Sequence, residues 1–425
     1  MSQSDDTLAG AGRITRRGFV GAAAAAIGAR AGLYELVDRL APAAARPQVF
    51  SLAPEQHLLD LRTVISDGVE VLEPPRHSDV VTATLRPGLD LRRAQERLET
   101  VLQRLDASYQ PTPAGLGIVL AWGLPYFEQR VPAQARTHLP YDRRAHASAL
   151  LPGRRFPSDP LETVLERNEL AVLLRSDRLD HIETARSAIF ELPFFTVTSI
   201  RCGFAGGGFQ GGPGLPKQMA LAAGLAGAHA IPDGAELFLG FTSTQKSALG
   251  PGRIANHETL GYVDLRSGYF RNGAHMHLSH IEENLEAWYA NFDYAERVVT
   301  AFRPGLPGIR PGTQTIAETP AELGTPPRLE QEFRRSGRFG HSASIQAASR
   351  LTQDVVGPDG TRYATGTAIP QRADFNTLDN PFAWSTHARR DRLAAEPAPG
   401  VHFRRLQPLE RRLPPQSPRH GRRLP

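Results

Sequence analysis

From His77 to Leu85 the chain is rich in β-branched residues and stops at Pro87-Gly88, a pattern that predicts a strand. Asp90 then offers an N-cap. Beyond it Leu91, Ala94, Leu98, Val101, Leu102 and Leu105 recur at helical spacing as far as Tyr109, which predicts an amphipathic helix. Gly117 to Trp122 is a short apolar run, the mark of a buried strand, and completes a β-α-β unit. The sequence repeats the theme with a strand from Leu170 to Leu174, a helix from Asp180 to Phe190 and a strand from Phe194 to Ile200. Strands and helices interleaved in this broken way predict a ferredoxin-like α+β unit. A second set is expected after Glu236: a strand over Leu237 to Phe241, another over Gly273 to Ser279 and a helix from Ile281 to Tyr289. Residues 303–338, crowded with Pro, Gly and charge, read as a long loop, and 342–351 regain helical character. No internal sequence repeat is visible, but the order of elements suggests two similar antiparallel halves, residues 46–200 and 201–403.

The ends of the chain differ in kind. Thr15-Arg16-Arg17-Gly18-Phe19-Val20 followed by the Ala-rich run to Ala29 reads as a twin-arginine export signal, with Ala43-Ala44-Ala45 as the expected cleavage site. An apolar run of that length is too short to span a bilayer, which takes about 20 residues, so residues 1–45 address the protein and do not anchor it. Export in the folded state predicts contact with the twin-arginine translocase, only transient contact with the membrane, and a periplasmic or extracellular location. The formal net charge of +5 is carried by the last 22 residues, 404–425, where seven Arg and one Glu sum to +6 and leave −1 for everything before them. Nucleic-acid binding by the body of the protein is therefore excluded as an expectation. That Arg- and Pro-rich tail has no apolar periodicity and does not read as a folded element; a change of reading frame after Phe403 would account for it, with the loss of a closing strand. Hydrophobic residues at 40% allow a sizeable core over the 425 residues, and the single cysteine, Cys202, excludes an internal disulfide.

Four places along the body are candidates for chemistry. The run Gly203-Phe204-Ala205-Gly206-Gly207-Gly208-Phe209-Gln210-Gly211-Gly212-Pro213-Gly214 lets backbone approach a ligand closely, or is a surface loop; it lacks the Lys-Ser/Thr of a phosphate-binding loop. His275 and His277 would share one face of a strand, with His280 on the other, so the first two are either structural or bind a divalent metal with Glu282 or Glu283. His341 follows Gly340 at the start of an apolar segment, a setting suited to presenting a neutral imidazole to a haem iron. Arg372, in Ile369-Pro370-Gln371-Arg372-Ala373-Asp374-Phe375-Asn376, either stabilises negative charge on a departing peroxide oxygen or pairs with Asp374.

Together these segments resemble the dye-decolorizing peroxidase superfamily, in particular an exported, divergent branch, over roughly residues 75–403. Leu170 to Ile200 is similar to the end of that family's first half, and Gly273 to Trp288 to its Gly-Gly-strand-helix segment. Gly340-His341 stands where the proximal ligand stands, and Ile369 to Phe375 resembles the Ile-Leu-Arg-Arg element. The resemblance implies two ferredoxin-like domains in a dimeric α+β barrel arrangement and b-type haem held through His341 and Arg372. It also implies hydrogen peroxide as oxidant and small organic molecules as substrates; oligomeric state stays open. The chain departs from the pattern at Gly206, where the distal Gly-x-x-Asp-Gly loop carries its aspartate, and at Gln371, which replaces the first arginine of the pair. Asp233, in Asp233-Gly234, is the expected substitute acid. The resemblance supports haem binding better than vigorous turnover. The other readings are a non-enzymatic haem carrier and an exported metalloprotein using His275 and His277.

Overall fold

The computed structural model describes residues 33–40, 59–66, 69–142, 147–148, 150–155, 159–208, 212–241, 275–301, 355–356, 362–363, 371–380 and 397–407. The helices are α1 (33–40), α2 (Leu91–Ser108), α3 (Leu124–Gln129), α4 (Pro132–His138), α5 (Leu179–Phe190), α6 (Leu215–Ala222), α7 (Leu285–Asn291) and α8 (Tyr294–Ala301). The first eight strands are β1 (Arg62–Ser66), β2 (Val69–Glu73), β3 (His77–Leu85), β4 (Gly117–Trp122), β5 (Tyr141–Asp142), β6 (Ala147–Ser148), β7 (Leu170–Ser176) and β8 (Phe195–Phe204). The remainder are β9 (His275–Glu282), β10 (Val355–Val356), β11 (Arg362–Tyr363), β12 (Gln371–Thr377) and β13 (Gly400–Gln407).

Seven strands form one sheet in the order β4-β7-β3-β8-β12-β13-β9, with every neighbouring pair antiparallel. Its first four strands, connected through α2 and α5, have the spatial order of a split β-α-β unit, the arrangement that the alternation of patterns predicts. Helix α2 begins where Asp90 accepts a hydrogen bond from the Arg93 amide at 3.1 Å, a cap of the kind that contributes about 1 kcal/mol. Its buried residues Ala94, Leu98, Val101 and Leu105 form one stripe, and they pack with Ile182, Ala185 and Ile189 of α5 on Ala83, Leu85, Leu170, Val172 and Leu174 of the sheet. This face is the main core.

On the opposite face Val80, Val119 and Leu173 form a small apolar patch, and Leu278 packs on it although it comes from β9, at the far edge from β4. The sheet is therefore curled, with that face concave. The concave face is also polar. Arg175 lies beside Ser78 in the β3–β7 ladder, Arg201 beside Val80 in the β3–β8 ladder, and His402 beside His280 in the β9–β13 ladder. Arg201 donates to Glu166, while His402, fully buried, finds no hydrogen-bond partner among the described residues for either ring nitrogen and meets the His280 ring edge-on at 4.6 Å between centroids.

Three expectations change. Leu237 to Phe241 is a turn, not a strand: the Phe241 carbonyl accepts from the amides of Glu236 at 2.9 Å and Leu237 at 3.3 Å, and Gly240 takes φ +90°. β13 runs on to Gln407, so Arg404 to Gln407, expected in an unfolded tail, pair with β12 and β9 in an unbroken register. The closing strand is present, and residues 408–425 lie outside the described part. The expected division between residues 200 and 201 falls inside β8, and β9, β12 and β13 extend the first unit's sheet; the loop at 303–338 lies outside the described residues. Among the described residues no helix is long and apolar enough to cross a membrane.

Burial, reinforced by the charges of His280 and Arg201, pushes the His402 imidazole well below its ordinary value. The folded state thus disfavours a proton that the unfolded chain accepts from about pH 6.5 downward. Stability contributed by neutral His402 is complete above that pH and is lost below it, at up to about 1.4 kcal/mol per pH unit until the folded-state value is reached. Urea unfolding between pH 7.5 and 5 is expected to show this decline. In His402→Phe, which keeps a ring against His280, the decline becomes shallower but does not vanish, because burial lowers His275 in the same direction.

Candidate functional site

The glycine run leaves the end of β8 and is pinned where it is described. The Ala205 amide donates to the Arg76 carbonyl at 2.8 Å, the Leu215 amide to the Gly206 carbonyl at 2.7 Å, and Gly214 donates to the Asp233 carbonyl at 3.0 Å. Gly207 and Gly214 bridge each other, so the run is a tied loop whose far end opens α6. What it wraps is the turn 236–241. A β-carbon at position 206 would lie 1.7 Å from the Glu236 carbonyl oxygen, and one at 208 would lie 3.3 Å from the Glu236 Cγ. The two glycines therefore exist for close approach, and the chain they approach carries Glu236, a residue only 8% exposed.

Two further elements hold that turn. From β12 the buried Asn376 side chain donates through Nδ2 to the Glu236 carbonyl at 2.8 Å and accepts through Oδ1 from the Phe238 amide at 3.2 Å, acting as a stand-in for a strand. From α7, Tyr289 donates its hydroxyl to the Phe238 carbonyl at 2.7 Å and Trp288 its ring N–H to the Leu239 carbonyl at 3.1 Å. The Arg297 guanidinium sits 4.7 Å over the Tyr289 ring. Glu236 is thus a buried carboxylate where the glycine run, β12 and α7 converge.

The expected site residues fall differently. Asp233 is at the surface, its side chain 90% exposed and paired with Lys217 at 2.7 Å, which is not the setting of a water-excluded acid. Three residues on, Glu236 is buried. Sequence reasoning passed it over because nothing in its neighbourhood marks it except adjacency to Asp233-Gly234. Arg372 lies in β12, paired in register with Arg405 and four residues before Asn376. His341 lies outside the described residues. The His275 and His277 pair does not gather a third ligand: His275 is buried and its neighbour His277 is exposed, its Nε2 2.8 Å from Ser279 Oγ. Glu282 is five residues further along the same strand, roughly 16 Å away at about 3.3 Å per residue. Among the described residues no group of three or more His, Cys, Asp or Glu is placed to hold a metal ion. Cys202 is a core thiol pushed up chiefly by burial and then by the charges of Asp79 and Asp379, hence protonated and unreactive.

The described residues thus bring a buried acidic residue, Glu236, against glycines that permit close approach. The expected iron ligand is outside them.

A family model described as a family of unknown function (DUF7405) matches residues 75–383. No curated protein matches the chain. Among solved structures, a DyP-type peroxidase from Cellulomonas bogoriensis is similar at 16% identity, with 84% of this chain and 86% of that one covered and a TM-score of 0.46. A variant of DypB from Rhodococcus jostii RHA1 in complex with haem is similar at 13% identity, over 80% and 82% of the two chains with a TM-score of 0.43. A dye-decolorizing protein from V. cholerae follows at 11% identity, over 79% and 82%, with a TM-score of 0.42.

Restoring an acid at 206 is expected to fail. Gly206→Asp and Gly206→Ala both force a β-carbon into the Glu236 carbonyl, and each is expected to lower stability by about 1–3 kcal/mol. Urea midpoints of the two variants check this; unchanged midpoints would mean that the turn moves aside at no cost.

Proposed function

The chain belongs to the family of unknown function DUF7405, and from that premise we propose that this protein is an exported, haem-binding, peroxidase-like oxidoreductase whose distal acid is Glu236. The observation that carries the reading is the buried Glu236, its main chain packed under Gly206 and its Cγ beside Gly208, next to the loop where the resemblance requires a proton-transfer group and position 206 has no room for one. The finer parts of the proposal are two ferredoxin-like halves, b-type haem and hydrogen peroxide, with small organic substrates and delivery by the twin-arginine translocase to the periplasm or beyond.

In this reading His341 would hold the haem iron, and haem, when bound, would supply the redox chemistry with peroxide. The chain's own residues handle charge and protons. The Glu236 carboxylate accepts a proton from one peroxide oxygen and returns it to the departing oxygen, the work of a general acid-base pair in one side chain. Arg372 stabilises the negative charge that gathers on that oxygen. Asn376 is a positioning residue, because its two hydrogen bonds fix the main chain from the Glu236 carbonyl to the Phe238 amide.

A second reading, a haem carrier without turnover, is favoured by the absence of an acid at Gly206. The two separate on purified protein from haem-supplemented expression. A Soret band that is lost in His341→Ala is expected; no band in the wild type would overturn haem binding altogether. Glu236→Gln is expected to keep the band and lose peroxide-dependent dye oxidation by about 10²–10⁴-fold. Wild-type protein with a band and no turnover would establish the carrier.

A further inference from the structure

The stretch between the twin arginines and Arg46 is expected to be discarded on export, yet part of it is core. In α1, Val37 is fully buried and Tyr34 is 2% exposed, within one cluster with Phe204, Leu215, Met219, Phe238 and Leu378. Leu33, Leu36 and Leu40 pack against the same cluster. The Tyr34 hydroxyl donates to the Cys202 carbonyl at 2.8 Å and accepts from the Leu378 amide at 3.1 Å, so it links the end of β8 to the residue after β12. Its ring meets Phe204 edge-on at 6.2 Å. Burial, and after it the charge of Asp379, push this phenol well above its ordinary value, which keeps the donor proton in place. On the outer side Asp38 lies 2.8 Å from Nε2 of the buried His77 and 3.7 Å from Arg76. Without α1, the Leu378 amide loses its acceptor and the apolar faces of Phe204 and Met219 lose their cover.

We infer that residues 33–40 are a permanent element of the folded protein and that the export signal is cut before Leu33, not at Ala43-Ala44-Ala45. The inference rests on the export reading for the cut and on packing alone for the retention of α1. The sequence carries a second small-x-small pattern at the required place, Ala29-Arg30-Ala31, directly after the apolar run and ahead of Leu33. Hydrolysis there adds water across the Ala31–Gly32 peptide bond and leaves a carboxylate on Ala31 and an amine on Gly32, which becomes the mature N-terminus. A chain exported in the folded state already has α1 docked, so the Ala43 site follows an element whose removal would open the core, while the Ala31 site precedes it.

Two measurements decide this. N-terminal sequencing of the exported full-length product is expected to begin at or before Leu33; a product beginning at Arg46 overturns the inference. Separately, in cytoplasmic expression, a chain starting at Arg46 is expected to be insoluble or to melt at least about 5 °C below the full chain. Full-length Val37→Asp is expected to lose a comparable amount, and full-length Tyr34→Phe a smaller one. Equal melting of the Arg46 chain and the full chain overturns the retention of α1 even where export does not occur. Arg16→Lys with Arg17→Lys tests export alone: protein still exported with both lysines removes the twin-arginine reading and leaves the result on α1 standing.

Discussion

The sheet has a seam. β3 and β8 share a long ladder, as do β12 and β13, but β8 meets β12 through a single paired position, Asn376 with Phe204. A junction with so little ladder has to be held by something else, and here side chains and the turns around them do it. The Thr377 hydroxyl donates to the Cys202 carbonyl at 2.7 Å, Asp379 accepts from the Cys202 amide at 2.7 Å, and Tyr34 adds a second donor to the same carbonyl. Asn376 turns the other way and binds the 236–238 main chain. At about 0.5–1.5 kcal/mol net for each hydrogen bond, these contacts together rival a regular strand pairing. They also fix geometry in a way a ladder would not, because each depends on one residue.

That construction explains why the candidate site is where it is. A continuous β8–β12 ladder would leave no room for a turn to enter. Because the ladder stops after one pair, the chain at 236–241 docks against the strand ends, and Glu236 is carried into the interior with its main chain fully engaged. The glycine run then closes over it. Glycine at 206 is the consequence of this approach: the space a side chain would need is filled by the Glu236 main chain.

How far the sequence reveals this depends on what kind of signal each element leaves. Helix α2 and strands β3, β4 and β7 are legible because their burial is one-sided or complete and their caps and turns are local. Leu237 to Phe241 has the apolar run of a strand, and only Gly240 hints that the chain reverses; a run of that length does not separate a strand from a buried turn. α1 is hidden by its surroundings, since an Ala-rich run before it and three alanines after it make the whole segment look like a leader. Arg404 and Arg405 conceal the end of β13 because a pair of arginines at the head of a basic tail reads as solvent-facing. Glu236 leaves no periodic or spacing signal at all. Its burial arises from contacts with residues up to 140 positions away, and nothing within a local window reports those.

The concave face of the sheet carries the same logic a step further. Arg175, Arg201, Ser78 and His402 are buried on this surface, and a buried polar atom left unsatisfied forfeits about 1–3 kcal/mol. His402 bears that cost with both ring nitrogens unpartnered among the described residues. The cost is local, however, and stands one strand away from the seam: side chains bind the Cys202 amide and carbonyl, the Leu378 amide and the 236–238 main chain at the join of β8 and β12. That is the place where α1, the glycine run and Glu236 all meet the sheet, so a change that loosens the seam reaches the candidate site and the N-terminal helix together.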